Sequence, residues 1–452
     1  MLLGETTVRL QPIAVFTALT ALGLLPASGC MLGALQDNLD ELDYHARISG
    51  EIDVEDWDGS PIVIGLLRLA DIDGAPDHPV DKIEMHGPGE YFFIVAPGRY
   101  RVVAYEDTNR NFHWDEDEHE RIAAYNNFAP IPVQTGEERG RVDIRVTDRD
   151  VRNAPEIADE ELQRRRRLVG VVMPMESTRF GPASGPHGLW TPMEFLEDPG
   201  WGLFFLGAYD PNKVPVLFVH GISGYPQEFA SLVAGLDHER FQAWVLHYPS
   251  GFDLELIASV VQRALNDLRR QHGYDHMCLV AHSMGGVLAR LFLKNYPDDE
   301  GRFVHTLVTI DSPLGGMVSA AMGVSSAPVV VPSWRNLDPE GATIPSLYEI
   351  PLPEGLEYHL FFSHIDGQTD TVVSLGTQLR AEAMAEATSM RGFSNTHGGV
   401  LRSAETSRYL NSALARCGEM PAASADDEGD EVAAAEDGQD DNATAPSSAA
   451  TE

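Results

Sequence analysis

A serine lies where a short apolar run meets a run of small residues, and covalent chemistry is expected at this junction. Ser283 is the central residue of the string AHSMG (281–285), which follows the apolar residues 277–281 and precedes the amphipathic residues 287–296. The pattern predicts a strand, a tight turn and a helix. Such a turn exposes the hydroxyl group and aims a helix N-terminus at a developing oxyanion. A serine hydroxyl becomes an effective nucleophile only when a neighbouring base takes its proton.

The base expected for Ser283 is His397. Among 16 histidines, only His397 sits in a Gly-flanked loop, NTHGG (395–399), ahead of a predicted terminal helix. A base must approach both the nucleophile and an acid, and small flanking residues allow this close approach. Three carboxyl groups in this part of the chain follow predicted strands, namely Asp311, Asp366 and Asp370. The pattern alone leaves the acid open among these three.

The elements that must position these residues alternate between strands and helices from about residue 168. Apolar runs at 214–219, 241–248, 277–281, 303–310 and 358–363 predict strands. Amphipathic runs at 254–270 and 287–296 predict helices between them. Strands that alternate with helices indicate a mostly parallel sheet with helices on both faces. The predicted fold class is therefore α/β for this part of the chain.

Five strings in this region resemble the α/β-hydrolase superfamily, and in particular its bacterial lipase/esterase branch. They are VPVLFVHGISG (214–224), CLVAHSMGG (278–286), LVTIDSPLGG (307–316), HIDGQTDTVV (364–373) and NTHGGVL (395–401). They occur in the family's order and cover roughly half the chain. The resemblance implies a catalytic triad of Ser283, Asp370 and His397, since the family often places its acid just before a small β-branched run. Asp366 and Asp311 remain alternatives for the acid.

The same resemblance implies an oxyanion hole and a substrate class. The amide N–H groups of Ile222 and Met284 are expected to hold the oxyanion, Gly221 lets the loop approach closely, and His220 is interpreted as a structural brace. The implied activity is a serine hydrolase, carboxylesterase or triacylglycerol lipase-like, that cleaves acyl esters or lipids without a cofactor. The alternatives are a thioesterase, an amidase or an acyltransferase on the same triad, or a non-catalytic envelope binding protein. Residues 313–353 are expected to form either a lid or a packed helix and loop.

The N-terminus resembles a bacterial lipoprotein signal peptide. Residues 13–25 are apolar but too few to span a bilayer, and they end in LPASGC (25–30). The string resembles a lipobox, which implies removal of residues 1–29 and lipidation of Cys30. A lipidated Cys30 would anchor the protein to the membrane in the bacterial cell envelope, at the outer membrane or cell surface. The alternative is an ordinary cleaved signal in which Cys30 is incidental.

The remaining segments divide the chain into an ordered series of predicted regions. Residues 30–45 are expected to be a tether, 46–147 a small all-β sandwich domain, 148–167 a linker, and 168–417 the α/β-hydrolase domain. Within 46–147, the string EYFFIVAPGRYRVVAY (90–105) resembles modules of the transthyretin-like or carboxypeptidase-regulatory type. Residues 418–452 hold 11 acidic side chains and no Lys or Arg. That composition cannot bury a core and predicts a disordered acidic tail.

One loop of the all-β region has the spacing of a calcium site. Residues 107–118 read DTNRNFHWDEDE and place oxygen ligands at relative positions 1, 3, 5, 9 and 12. The predicted ligands are Asp107, Asn109, Asn111, Asp115 and Glu118. Phe112 occupies the sixth position, where the twelve-residue loop needs Gly. The alternative is therefore a solvated acidic hairpin loop, and the predicted calcium would be structural.

Charge and cysteine content exclude two classes of protein. With 32 Lys and Arg against 69 Asp and Glu, the formal net charge is -37, and such a field repels phosphate backbones. Nucleic acid is therefore excluded as a partner. Three cysteines cannot cross-link 452 residues into a disulfide scaffold. Cys278 lies in an apolar run and is interpreted as a small buried hydrophobic residue.

Overall fold

The computed structural model describes residues 29–69, 77–85, 87–109, 114, 120–147, 168–197, 200–294 and 303–418. The described residues all fall within one compact unit. The predicted linker, the predicted signal peptide before Gly29 and the predicted acidic tail after Gly418 lie outside the described residues. Within the described ranges, no helix is both long enough and apolar enough to span a bilayer.

The segment predicted as a tether forms a packed helix, α1 (Gly29–Tyr44). Leu35 is fully buried in the large apolar core of the C-terminal domain. The Asn38 side-chain oxygen accepts hydrogen bonds from the amides of Met193 (2.9 Å) and Glu194 (3.2 Å). These amides lie at the start of a helix, where backbone N–H groups lack partners within the helix. Asn38 therefore caps a neighbouring helix and fixes α1 to the C-terminal domain.

Among the described residues of the N-terminal region, nine strands form two sheets. One sheet has the order β4-β1-β8 with β9 also on β1, and the other has the order β3-β2-β5-β6 with β7 on β5. Buried residues of both sheets, such as Ile48 and Phe93 of the first and Ile64 and Val102 of the second, share one apolar core. The predicted all-β region is thereby confirmed. The strands are β1 (Ala46–Val54), β2 (Ile62–Arg68), β3 (His78–Met85), β4 (Gly89–Val95), β5 (Gly98–Glu106), β6 (Ile122–Ala124), β7 (Ile131–Val133), β8 (Glu138–Arg139) and β9 (Ile144–Val146).

The C-terminal domain is built on an eight-stranded sheet in the order β10-β11-β13-β12-β14-β15-β16-β17. All neighbouring strands are parallel except β11 and β13. The predicted α/β class is therefore confirmed, with a mixed sheet. The strands are β10 (Leu168–Val172), β11 (Gly202–Phe205), β12 (Val214–Val219), β13 (Phe241–His247), β14 (Met277–His282), β15 (Val304–Ile310), β16 (Glu357–Ser363) and β17 (Ser389–Phe393).

Helices cover both faces of this sheet. Those after α1 are α2 (Ser184–Trp190), α3 (Pro192–Glu197), α4 (Ala230–Ala234), α5 (Leu254–His272), α6 (Met284–Lys294), α7 (Val318–Ser326), α8 (Pro332–Leu337), α9 (Thr343–Ser346), α10 (Leu375–Gln378), α11 (Ala381–Glu386) and α12 (Ala404–Leu414). The apolar faces of α5 and α6 fill one core, and α4 and α12 fill the core on the opposite face. Asp253 caps α5 by accepting the amides of Glu255 (2.9 Å) and Leu256 (3.1 Å).

The all-β region packs against α5 of the C-terminal domain. The Arg263 guanidinium lies 3.8 Å from the centre of the Phe92 ring, which belongs to β4. A narrow cleft of about 70 Å³ remains beside this contact, between β3–β4 and the Arg263–Arg270 part of α5. A cation held over an aromatic face stabilises this contact between the all-β region and the C-terminal domain.

A disulfide bond joins Cys278 of β14 to Cys417, which follows α12. Both residues are buried, at 0% and 1% exposure. The interpretation of Cys278 as merely a small hydrophobic residue was therefore incomplete. The bond closes a loop with a sequence separation of 139 residues. Ser283, Asp370 and His397 all lie within that loop.

The segment 313–353, predicted as a lid or a packed excursion, contains α7, α8 and α9. Trp334 of α8 is fully buried and lies against Gly323 of α7, where an added Cβ would come within 2.7 Å of the indole ring. On the outer side of α7, Val318 is 71% exposed. The segment is thus packed through Trp334 and presents an apolar side chain to solvent.

Candidate active site

Ser283 occupies the sharp turn between β14 and α6. Its φ is 54°, in the left-handed region that is costly for a residue with a Cβ atom. The Ser283 amide donates to the Ile310 carbonyl at 2.9 Å, which holds the turn against the end of β15. An added Cβ at Gly285 would lie 2.4 Å from the Val219 carbonyl oxygen, so the first turn of α6 packs directly on β12. The sequence thus folds into the predicted strand, turn and helix around Ser283, and no side chain larger than that of Gly fits at position 285.

His397 and Asp370 meet through two hydrogen bonds. His397 Nδ1 lies 2.7 Å from Asp370 Oδ2, and the His397 amide donates to the Asp370 carbonyl at 2.7 Å. Asp370 is fully buried, and its Oδ1 accepts the amides of Val372 (2.8 Å) and Val373 (2.7 Å). These two donors satisfy Oδ1 of the buried carboxyl group and fix its orientation toward His397. With Nδ1 occupied by Asp370, Nε2 is the His397 nitrogen left to take or give a proton.

The two alternative carboxyl groups have different environments. Asp366 is exposed in a turn, with φ at 53°. Asp311 follows β15, is fully buried, and places Oδ2 4.0 Å from His397 Nδ1. Burial raises the pKa of the Asp311 carboxyl well above its ordinary value, and the nearby Asp370 charge raises it further. Of the three candidates, only Asp370 forms a hydrogen bond with His397 among the described residues.

His282 supports the His397 loop and was not predicted from the sequence to do so. Its Nε2–H donates to the His397 carbonyl at 3.1 Å, and the two rings lie 4.5 Å apart. Burial lowers the pKa of His282 well below its ordinary value, so the ring is neutral. Its position directly before Ser283 was the available signal. Gln378, whose Nε2 donates to Asp370 Oδ2 at 3.3 Å, was also missed because it lies in an unremarkable helix.

The loop after β12 lies against Ser283. A Cβ added to Gly221 would come within 2.7 Å of Ser283 Cβ, so the loop backbone approaches as the oxyanion prediction requires. Among the described residues, the amides of Ile222 and Met284 have no hydrogen-bond partner. Met284 is the first residue of α6. Both N–H groups are thus free to donate to a ligand oxygen.

His220 is positioned as a brace for this loop. Its Nδ1–H donates to the Gly221 carbonyl at 2.9 Å, and its ring stacks on Tyr248 with 4.3 Å between centroids. The Tyr248 hydroxyl donates to the His220 carbonyl at 2.8 Å. Burial lowers the pKa of His220 to about 4, which keeps the ring neutral. These contacts match a structural role.

The Ser283 hydroxyl forms no hydrogen bond with His397 among the described residues. Hydrogen bonds of catalytic groups are often long in ligand-free structures and tighten when substrate binds. The arrangement contains a serine on a strained turn, an imidazole anchored at Nδ1, and two unpaired amides. These are the groups that acyl transfer through a serine requires.

The other predicted site residues are only partly described. Asp107 is fully buried, and the neighbouring Thr108 amide donates to Glu120 at 2.9 Å. Asn109 is described, whereas Asn111, Asp115 and Glu118 lie outside the described residues. Calcium binding by this loop therefore stays a prediction. Cys30 contributes backbone to α1, and its side chain is likewise outside the described part.

Comparison with known proteins gives a family match within the C-terminal domain. Residues 214–418 match the sequence model of a family described as alpha/beta hydrolase fold. No curated protein matches the chain. Among solved structures, lipase BlEst2 of Bacillus licheniformis in its mature form is 16% identical, with a TM-score of 0.37, over 45% of this chain and 93% of that one.

Two further solved structures have similar coverage. A Listeria innocua protein, the product of gene lin2722, is 15% identical with a TM-score of 0.36, over 45% of this chain and 94% of that one. A structure from a study of carboxylesterases of the thaumarchaeon Nitrososphaera gargenis is 14% identical with a TM-score of 0.32, over 48% and 96%. The family match over residues 214–418, together with the sheet and its flanking helices, shows that the C-terminal part of the chain has the alpha/beta hydrolase fold.

Proposed function

We propose that the protein is a serine hydrolase that cleaves acyl esters through an acyl-enzyme on Ser283. The observation that carries the proposal is the convergence of three distant segments. The buried Asp370 carboxylate lies 2.7 Å from His397 Nδ1, and the Gly221 backbone lies against Ser283. The His397 ring also lies 4.5 Å from the ring of His282, the residue directly before the strained Ser283. A buried, donor-rich carboxyl group on such an imidazole has no evident structural purpose.

The proposed reaction uses only side chains and amides of this chain. His397 Nε2 takes the Ser283 proton as Oγ attacks the ester carbonyl, and Asp370 stabilises the imidazolium that forms. The Ile222 and Met284 amides hold the negative oxygen of the tetrahedral intermediate, where one such donor contributes ~10²–10³ in rate. His397 then protonates the leaving alcohol. A water molecule, deprotonated by His397, releases the acyl group.

A fluorophosphonate probe tests for a working nucleophile. We expect covalent labelling of the wild-type protein and none of Ser283→Ala, with both folded by circular dichroism. Hydrolysis of nitrophenyl esters of increasing acyl length then defines the substrate class. Absence of labelling in the folded wild type would instead support the non-catalytic binding protein. Labelling without ester turnover would redirect the search to thioesters, amides or acyl transfer on the same triad.

Substitutions of the carboxyl groups test which of them acts as the acid that pairs with His397. We expect Asp370→Asn to lower kcat by ~10⁴, the scale seen when the acid of such a triad is neutralised. Asp366→Asn is the matched control, because that carboxyl lies in an exposed turn, and it should leave kcat within a few fold. Normal turnover by folded Asp370→Asn contradicts the assignment.

We further propose that the protein is held in a bacterial cell envelope by lipidated Cys30. The support is the lipobox-like string together with the position of α1, which begins at Gly29 and is docked on the C-terminal domain through Leu35 and Asn38. An anchor at Cys30 would therefore hold the hydrolase domain directly at the membrane, without a free tether. Such a position suits a lipid or other membrane-associated acyl ester.

A further inference from the structure

A second carboxyl group faces the same imidazole nitrogen as Asp370. Asp311 Oδ2 lies 4.0 Å from His397 Nδ1, against 2.7 Å for Asp370 Oδ2. The two carboxyl groups follow neighbouring parallel strands, β15 and β16, so they reach His397 from the same edge of the sheet. Asp311 holds this position with φ at 49°, and its amide donates to the Phe361 carbonyl at 3.0 Å.

The hydrogen bonds around the two carboxyl groups are unequal. Asp370 accepts the amides of Val372 and Val373 and the side-chain N–H of Gln378, besides facing His397. Neither oxygen of Asp311 meets hydrogen-bond geometry with a described group, although Ser363 and Asp370 lie close enough to influence its proton. A buried carboxylate without donors is unstable beside a second carboxylate. Burial and the neighbouring Asp370 raise the pKa of the Asp311 carboxyl well above its ordinary value, so Asp311 is the protonated member of the pair.

We propose that Asp311 is a reserve acid for His397, a positioning residue that takes over Nδ1 when Asp370 is lost. In the intact protein, Asp311 keeps its proton, so a single negative charge faces Nδ1. Burial is the main cause of the raised pKa of Asp311 and remains without Asp370, but the added repulsion from the Asp370 charge disappears, so Asp311 loses its proton more readily. Asp311 then releases its proton to solvent, and its carboxylate pairs with the imidazolium that forms when His397 takes the Ser283 proton. Asp311 Oδ2 already lies 4.0 Å from His397 Nδ1, so hydrogen-bond distance requires an approach of about 1 Å.

The inference rests on the proposed hydrolase function and is tested by a double-mutant cycle. The four proteins are the wild type, Asp311→Asn, Asp370→Ala and the double variant, each assayed for kcat on one nitrophenyl ester. Asn matches Asp311 in volume and in neutrality, so Asp311→Asn alone should cost less than about 10-fold. In the Asp370→Ala background, Asp311→Asn should lower kcat by a factor that is at least about 10 times larger than its factor in the wild type, because the reserve acid is then in use.

A role in packing alone predicts a different result. It would make Asp311→Asn cost the same factor in both backgrounds, and that outcome overturns the inference. The pH dependence gives a second readout. The residual turnover of Asp370→Ala should rise with pH, because Asp311 loses its proton while the two histidines that face it, His282 and His397, are neutral. The double variant should not show this rise. A residual activity with the same pH profile in both also contradicts the inference.

Controls separate the possible failures. Asp366→Asn, in the exposed turn, should have no larger effect in the Asp370→Ala background than in the wild type. If Asp370→Ala does not fold by circular dichroism, Asp370→Asn replaces it, because the amide oxygen can still accept the Val372 and Val373 N–H groups. Failure of the wild type to label with fluorophosphonate counts against the hydrolase function. Normal labelling with equal Asp311 effects in both backgrounds counts only against the reserve acid.

Discussion

Removing the Cys278–Cys417 disulfide should lower the stability of the hydrolase domain by several kcal/mol. The perturbation is the double substitution Cys278→Ala with Cys417→Ala. The bond spans 139 residues, and a cross-link over a loop of that size restricts the unfolded chain by about 5 kcal/mol in the chain-entropy account. Loss of two buried sulfur atoms adds a smaller packing cost, on the order of 1 kcal/mol each.

The assay is urea unfolding followed by circular dichroism and by loss of fluorophosphonate labelling, which reports on the domain that holds Ser283. With a slope of about 3 kcal/mol per molar urea, a loss of about 5 kcal/mol lowers the midpoint by roughly 1–2 M. Labelling without urea should be unchanged, because neither cysteine contacts the triad. When the wild type is unfolded in the presence of a phosphine reductant, its urea midpoint should approach that of the double variant.

Val280→Ala is the matched control for packing. Val280 is fully buried on the same strand, so the variant should lose stability while remaining as sensitive to reductant as the wild type. The double cysteine variant should be insensitive to reductant. Equal midpoints for the oxidised wild type and the double variant would refute the reasoning that the closed loop stabilises this domain.

Three other changes test separate parts of the molecule. Gly221→Ala places a Cβ 2.7 Å from Ser283 Cβ, and we expect ester turnover to fall by ~10² or more in a protein that is folded by circular dichroism. Burial raises the pKa of Glu228 from 4.5 to about 7, so stability is lost as pH rises through that window. The free energy of unfolding of Glu228→Gln, measured by denaturation curves, should therefore equal that of the wild type below pH 4.5 and exceed it by about 2–3 kcal/mol above pH 7. Cys30→Ser should move the protein from the membrane fraction to the soluble fraction, and mass spectrometry of the mature N-terminus should find the lipid only in the wild type.

Local chemistry made much of the C-terminal domain predictable. The strands predicted at 214–219 and 358–363 correspond to Val214–Val219 and Glu357–Ser363, because buried parallel strands are continuous apolar runs. The turn at Ser283 was predictable for a related reason, since a tight strand-to-helix turn requires small residues at particular positions, here Gly285 and Gly286. The short strands β10, β11 and β17 were not predicted, because so few residues carry little periodic signal.

Other features depend on which distant segments meet. Three carboxyl groups follow strands, those of Asp311, Asp366 and Asp370. Only the folded chain shows that Asp370 forms a hydrogen bond with His397, that Asp311 lies farther from the same nitrogen, at 4.0 Å, and that Asp366 faces solvent. The support of the His397 loop by His282 likewise joins residues 115 positions apart. No local pattern encodes such distances, because they are set by strand order in the sheet.

The sequence by itself determined the α/β class, the strand-to-helix turn at Ser283 and the His397 loop, because backbone sterics and hydrophobic periodicity act over a few residues. Only the tertiary structure decided the pairing of Asp370 with His397, the disulfide between Cys278 and Cys417, and the docking of α1 through Leu35 and Asn38. Each of these joins segments that are remote in the chain. Their proximity follows from the burial of the whole apolar surface and not from any one segment.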